Sequence, residues 1–113
     1  MKLLKEIFVL GTQYSIYEAS EEEDASLEKC DGYCDKTSKK IVISDMKKTD
    51  LENIKVYRNK AIRHEIIHAF MFESGFGENF EHKQFGQEET VIDWIAIQFP
   101  KIKYAFKIAE CDV

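Results

Sequence analysis

The chain has 113 residues, 44% of them hydrophobic, and a formal net charge of −5. That length fits one domain with an ordinary core, and the acidic balance argues against a surface for nucleic-acid phosphates. The apolar runs fall far short of the roughly 20 residues of a spanning helix, no signal peptide is recognisable near Met1, and Cys30, Cys34 and Cys111 do not make a disulfide framework; a cytoplasmic compartment is the expectation.

The first third reads as strands. Residues 5–10 and 13–17 are short apolar segments joined at Gly11-Thr12, a two-residue hairpin loop with glycine first. Residues 20–28, with the acidic run Glu21-Glu22-Glu23-Asp24, make a solvated loop. Gly32-Tyr33-Cys34 and Lys40–Ser44 flank the polar stretch 35–39 and predict a second hairpin. Cys30-x-x-x-Cys34 has no second Cys or His pair at matching spacing, so these cysteines read as structural.

A long helix follows. Thr49-Asp50-Leu51-Glu52 is a capping-box pattern with Thr49 as N-cap and Glu52 at N3. No Pro or Gly then intervenes before Gly75, a natural C′ stop after Ser74. Lys55, Arg58, Asn59 and Arg63 mark a wet side, and from Ala61 onward the segment is apolar almost all round, which predicts a buried helix. Residues 75–87 hold three glycines and read as a loop over that helix. Residues 88–99 form an amphipathic helix with Val91, Ile92, Ile95, Ala96 and Phe99 at helical spacing; Pro100 ends it and opens a last short helix through Ala109. The expected class is α+β, with strands first and helices after.

His64-Glu65-Ile66-Ile67-His68 carries the chemistry. Residues four apart on a helix lie about 40° apart on one face, so the two imidazoles can share one ion at the ~2.0–2.1 Å zinc–nitrogen distance. Glu65 sits beside them, placed to take a proton from water. Two of the chain's three histidines fall in this motif. They also lie in a segment read as core, where unpaired polar groups are costly and a metal ion removes that cost.

Catalytic zinc takes three protein ligands and keeps one position open. The metzincin pattern is excluded, because Met71 stands where its glycine belongs and Ser74 where its third histidine belongs. His82, Glu88 and Glu89 are the candidates for the third ligand. Glu89 opens the next helix, and Asp93 follows four residues later on the same face. An acid there can accept the free N–H of a zinc-binding imidazole and fix its orientation. Glu89 as ligand gives both residues a role, whereas Glu88 leaves Asp93 without one. Glu88 and His82 stay open as alternatives.

These residues resemble a known pattern. His64-Glu65-Ile66-Ile67-His68 followed by Glu89-Thr90-Val91-Ile92-Asp93 is similar to the gluzincin signature, H-E-x-x-H with a downstream E-x-x-x-D. Residues 30–102 resemble the ImmA/IrrE family of intracellular metallopeptidases of phages and mobile elements, with Ile95-Ala96 where that family has an aromatic-Ala step and Pro100 slightly early. The resemblance implies a minimal zincin-like domain: a small antiparallel or mixed sheet packed on the active-site helix, with a second helix carrying the glutamate ligand. It also implies Zn²⁺ held by His64, His68 and Glu89, Glu65 as general base, and a peptide or protein substrate, in that family a regulatory protein such as a repressor. Lys40–Ser44 is expected as an edge strand that holds extended substrate, and Tyr33, His82 and Tyr104 are candidate oxyanion donors. The competing reading is a zincin-like binding module or antirepressor without catalysis. A closed structural zinc site fits less well, since His82 is the only obvious spare ligand.

Overall fold

The computed structural model describes residues 1–78 and 87–113. It shows a small α+β fold, a four-stranded mixed sheet with two helices. The strands are β1 (Lys2–Val9), β2 (Thr12–Ala19), β3 (Gly32–Asp35) and β4 (Lys40–Ser44), and the helices are α1 (Ile54–Glu73) and α2 (Glu89–Ile108).

Both expected hairpins form, β1 on β2 and β3 on β4, each antiparallel. The first turn is displaced by one residue from expectation. Val9 pairs with Thr12, so the loop is Leu10-Gly11, and both residues have positive φ, 49° and 86°. Two successive positive φ values are the geometry that matches the twist of a tight hairpin.

Between the hairpins the chain crosses over, and β4 pairs with β2 in parallel, giving the order β1-β2-β4-β3. Lys40–Ser44 is therefore interior, and the expectation of an edge strand there is corrected. Its residues Ile41, Val42 and Ile43 are fully buried, as a strand covered on both faces requires. The edge strand of the second hairpin is β3.

Alternation sets the two faces of the sheet. Tyr14, Ile16, Ile41 and Ile43 face α1 and join Val9, Met46, Ala61 and Ala69 in the main core, with Cys34 packed against it. The opposite face carries Ala19 and Val42, covered by Leu27 from a short 3-10 turn, Ala25–Glu28, with Tyr17 and Tyr33 alongside. Side chains also tie α1 to the sheet. Glu73 in its last turn accepts from the Tyr14 hydroxyl at 2.7 Å and from Lys39 Nζ at 2.6 Å, and Arg58 pairs with Glu18 of β2.

Helix α1 starts later than the capping box predicts. Met46 is buried in the core with φ of 57°, and the turn it makes is closed by the Thr49 N–H on the Met46 carbonyl at 3.1 Å. The helix begins only once the chain clears that turn. Asn53 is the N-cap, its side chain accepting from Val56 N–H, and asparagine serves there at least as well as threonine. The far end follows expectation, with Ser74 as C-cap and Gly75 at φ 81°. The expectation of a helix buried on every side is corrected. Ala61, Glu65, His68 and Ala69 are buried while Phe70 is exposed, because α1 has one face on the sheet and another on α2.

Helix α2 does not stop at Pro100. It runs unbroken to Ile108 with the proline inside, so the expected final short helix is its second half. A proline supplies no N–H to the carbonyl four residues earlier, here that of Ala96. Arg63 Nε of α1 donates to that oxygen at 2.7 Å, which offsets the loss. Beyond Pro100 all residues but Ile102 are exposed. Among the described residues no helix is long and apolar enough to cross a membrane.

Candidate metal centre

His64 and His68 lie one turn apart on α1, with ring centroids 4.8 Å apart. Their Nε2 atoms are 3.1 Å from each other. Glu89, the first residue of α2, meets both: its Oε2 lies 2.9 Å from His64 Nε2 and its Oε1 lies 3.0 Å from His68 Nε2. Among the described residues this is the cluster of His, Cys, Asp and Glu side chains able to hold a metal ion. Tetrahedral ligands ~2.0–2.1 Å from one ion stand roughly 3.3 Å from each other, close to the separations found.

The other nitrogen of each ring decides what those Nε2 atoms offer. His64 Nδ1 faces Asp93 Oδ1 at 3.2 Å. Partial burial works against the Asp93 carboxylate, but Lys60 at 3.3 Å and His64 more than compensate and hold its pKa below the usual value. Asp93 is thus an acceptor, and His64 Nδ1 carries the proton. His68 Nδ1 contacts Gln87 Oε1. The orientation of that amide follows from its other end, because Gln87 Nε2 donates to the His68 carbonyl at 3.3 Å; the oxygen is left for the ring, so His68 Nδ1 is the donor. In their neutral forms both rings then direct Nε2 lone pairs at one point, where a carboxylate also converges. Such an arrangement could hold a metal ion, and two imidazoles with a carboxylate are a donor set for Zn²⁺.

Glu65 lines the same cleft, its Oε1 3.8 Å from His64 Nε2. It is buried, and among the described residues no side chain hydrogen-bonds its carboxyl. Burial pushes its pKa up to about 7; His68 opposes this shift and Glu89 adds to it. A carboxyl poised there is suited to both taking and returning a proton near neutrality.

The cleft, about 650 Å³, lies between α1, the start of α2 and the edge strand β3. Gly32 sets how closely that strand approaches. A Cβ at position 32 would stand 2.8 Å from both Ile43 Cδ1 and the Val42 carbonyl oxygen, and 3.5 Å from Glu65 Cγ. The missing side chain lets β3 lie against Glu65.

Other expected residues fall elsewhere. Glu88 is the N-cap of α2, its carboxylate accepting the Thr90 and Val91 N–H groups at 3.0 Å each. Tyr33 packs on the sheet face away from α1, and its hydroxyl donates to Asp24 Oδ2 at 2.5 Å. Period-two alternation carried that signal, since Gly32 and Cys34 share the face toward α1 and Tyr33 cannot. Tyr104 is exposed on the second half of α2, outside the cleft. His82 and most of the loop expected over residues 75–87 lie outside the described residues. Cys30 and Cys34 line the cleft but do not join the ligand cluster; burial pushes the Cys34 thiol up to about 12, with Glu65 adding to it.

Gln87 is the residue that the sequence reading missed. A glutamine two positions before the ligand glutamate has no spacing rule to mark it, and its value appears only once α1 and α2 are packed. Gly77 makes room for it, since a Cβ there would lie 2.6 Å from Gln87 Nε2. Comparison with protein-family models, curated proteins and solved structures finds no match for this chain.

Proposed function

We propose that this protein is a zinc-dependent peptide hydrolase. The observation that carries the reading is the convergence of the His64 and His68 Nε2 atoms with the Glu89 carboxylate, beside the buried carboxyl of Glu65. The resemblance of His64–His68 and Glu89–Asp93 to the gluzincin and ImmA/IrrE patterns supports it.

His64, His68 and Glu89 would hold the ion, with Asp93 and Gln87 orienting the two rings. Zinc supplies Lewis acidity, acidifying a water and polarising the scissile carbonyl. The remaining work falls to the chain. Glu65, made more basic than a solvated carboxylate by its burial, takes a proton from the attacking water and delivers it to the leaving amine nitrogen. The role first given to Lys40–Ser44 passes to β3, whose Gly32, Tyr33 and Cys34 line the cleft with one edge unpaired by any described strand. An extended peptide added along β3 brings its carbonyl beside Glu65.

A zincin-like binding module without catalysis has no need of a desolvated base next to the metal. The test is Glu65→Gln, assayed with a fluorogenic peptide library and for bound zinc. Zinc retained with hydrolysis reduced at least ~10²-fold supports the hydrolase; equal activity in both proteins contradicts it. A wild type that binds zinc and cleaves nothing favours the binding module.

A further inference from the structure

We infer that Arg63 is a positioning residue for the metal centre, holding α2 in register on α1 through a backbone carbonyl that Pro100 leaves free. This inference rests on the metal reading above.

Glu89, Asp93, Ala96 and Pro100 recur at intervals of four, three and four residues, so they line one side of α2. That side is tied to α1 at three successive points. Glu89 meets His64 and His68, Asp93 meets His64 and Lys60, and the Ala96 carbonyl accepts from Arg63 Nε at 2.7 Å. The first point joins side chains whose hydrogen-bonding roles change with the protonation of the two imidazoles. The second relies on side chains that can rotate away. The third is a backbone acceptor, which cannot turn without moving the helix.

Pro100 makes that acceptor available. In an uninterrupted helix the Ala96 carbonyl would take the N–H of residue 100; proline has none, and Ala96 is fully buried. That oxygen accepts from Arg63 Nε at 2.7 Å, and the donor belongs to the residue next to His64. A slip of α2 by a single residue is a translation of ~1.5 Å, several times the ~0.2 Å within which metal–ligand distances must fall. Arg63 prevents this slip before any ion binds.

The test uses the full chain as Arg63→Met, Arg63→Lys, Arg58→Met and the double variant Arg63→Met/Pro100→Ala. Zn²⁺ affinity is read by competition with a chromophoric chelator, and amide hydrogen exchange across the first turns of α2 is read without metal. Arg63→Met binds Zn²⁺ roughly tenfold more weakly, in the range found when groups that orient ligands are removed, and its α2 amides exchange faster. Arg63→Lys, which keeps a donor, retains most of the affinity. Arg58→Met breaks the pair with Glu18 and lowers thermal stability while leaving Zn²⁺ affinity alone.

The double variant separates positioning from simple satisfaction of the carbonyl. Alanine at 100 returns an N–H to the Ala96 oxygen, so thermal stability recovers, but that bond lies within α2 and does not tie it to α1. Zn²⁺ affinity accordingly stays low. Wild-type affinity in Arg63→Met, or affinity fully restored in the double variant, overturns the inference. A wild type that binds no Zn²⁺ overturns the metal reading instead, and unchanged amide protection in metal-free Arg63→Met then overturns the clamp as well.

Discussion

Gly32→Ala tests how the sheet edge shapes the cleft. The new methyl would lie 2.8 Å from Ile43 Cδ1, 2.8 Å from the Val42 carbonyl oxygen and 3.5 Å from Glu65 Cγ. Ordinary contacts between such atoms are ~3.5–4.0 Å, so two of the three overlap badly. Ile43 is fully buried and has little room to rotate, and the Val42 oxygen belongs to the backbone of β4, so β3 must lift off its neighbour. Overpacking of this kind costs about 1–3 kcal/mol. With an unfolding entropy of ~2.1 cal/mol/K per residue over this length, each kcal/mol lowers Tm by roughly 4 °C, a fall of about 4–12 °C. Circular dichroism melts of metal-free protein measure it. The metal ligands are not touched, so Zn²⁺ affinity stays near wild type while peptide hydrolysis falls. An unchanged Tm with full activity would refute the claim that Gly32 sets the approach of β3 to Glu65.

Glu65 predicts a particular pH dependence in metal-free protein. Its folded pKa is raised, so it contributes stability that is fully present below its unfolded value of 4.5 and lost as pH rises through about 7. Glu65→Gln removes that dependence, so the variant matches wild type at pH 4 and exceeds it at pH 8 by on the order of 1–3 kcal/mol; urea titrations in chelator at both pH values check this, and a gap that narrows with rising pH contradicts it. Gln87→Leu takes the acceptor from His68 Nδ1 and weakens Zn²⁺ binding ~10–100-fold, read by chelator competition; wild-type affinity would show that Gln87 does not orient the ring. Glu88→Ala loses two N-cap bonds, costs ~1 kcal/mol of stability and retains bound zinc, whereas loss of zinc would return Glu88 to the ligand set.

What the sequence disclosed and what it hid follow from how local each signal is. The spacing of His64 and His68 is a property of one helix, and so is that of Glu89 and Asp93; each pair was legible because four residues along a helix return to one face. Both hairpins were legible from short apolar runs around polar turns. Neighbours in the sheet were not, because the parallel pairing of β4 with β2 is a contact across a crossover, and that is why Lys40–Ser44 looked like an edge. The start of α1 was misplaced by two competing caps four residues apart, Thr49 and Asn53, a contest settled by the buried Met46 turn. Pro100 reads locally as a helix break; only the arrival of Arg63 from another helix lets α2 continue. Gln87 matters through His68, nineteen positions away, and no local pattern records that.

The most direct measurement is zinc content by elemental mass spectrometry on wild type and Glu89→Ala purified side by side. About one zinc per wild-type chain is expected, lost or sharply weakened in the variant. Zinc retained in full by Glu89→Ala would contradict the proposed ligand set, and a wild type without zinc after incubation with the ion would contradict the metal centre itself.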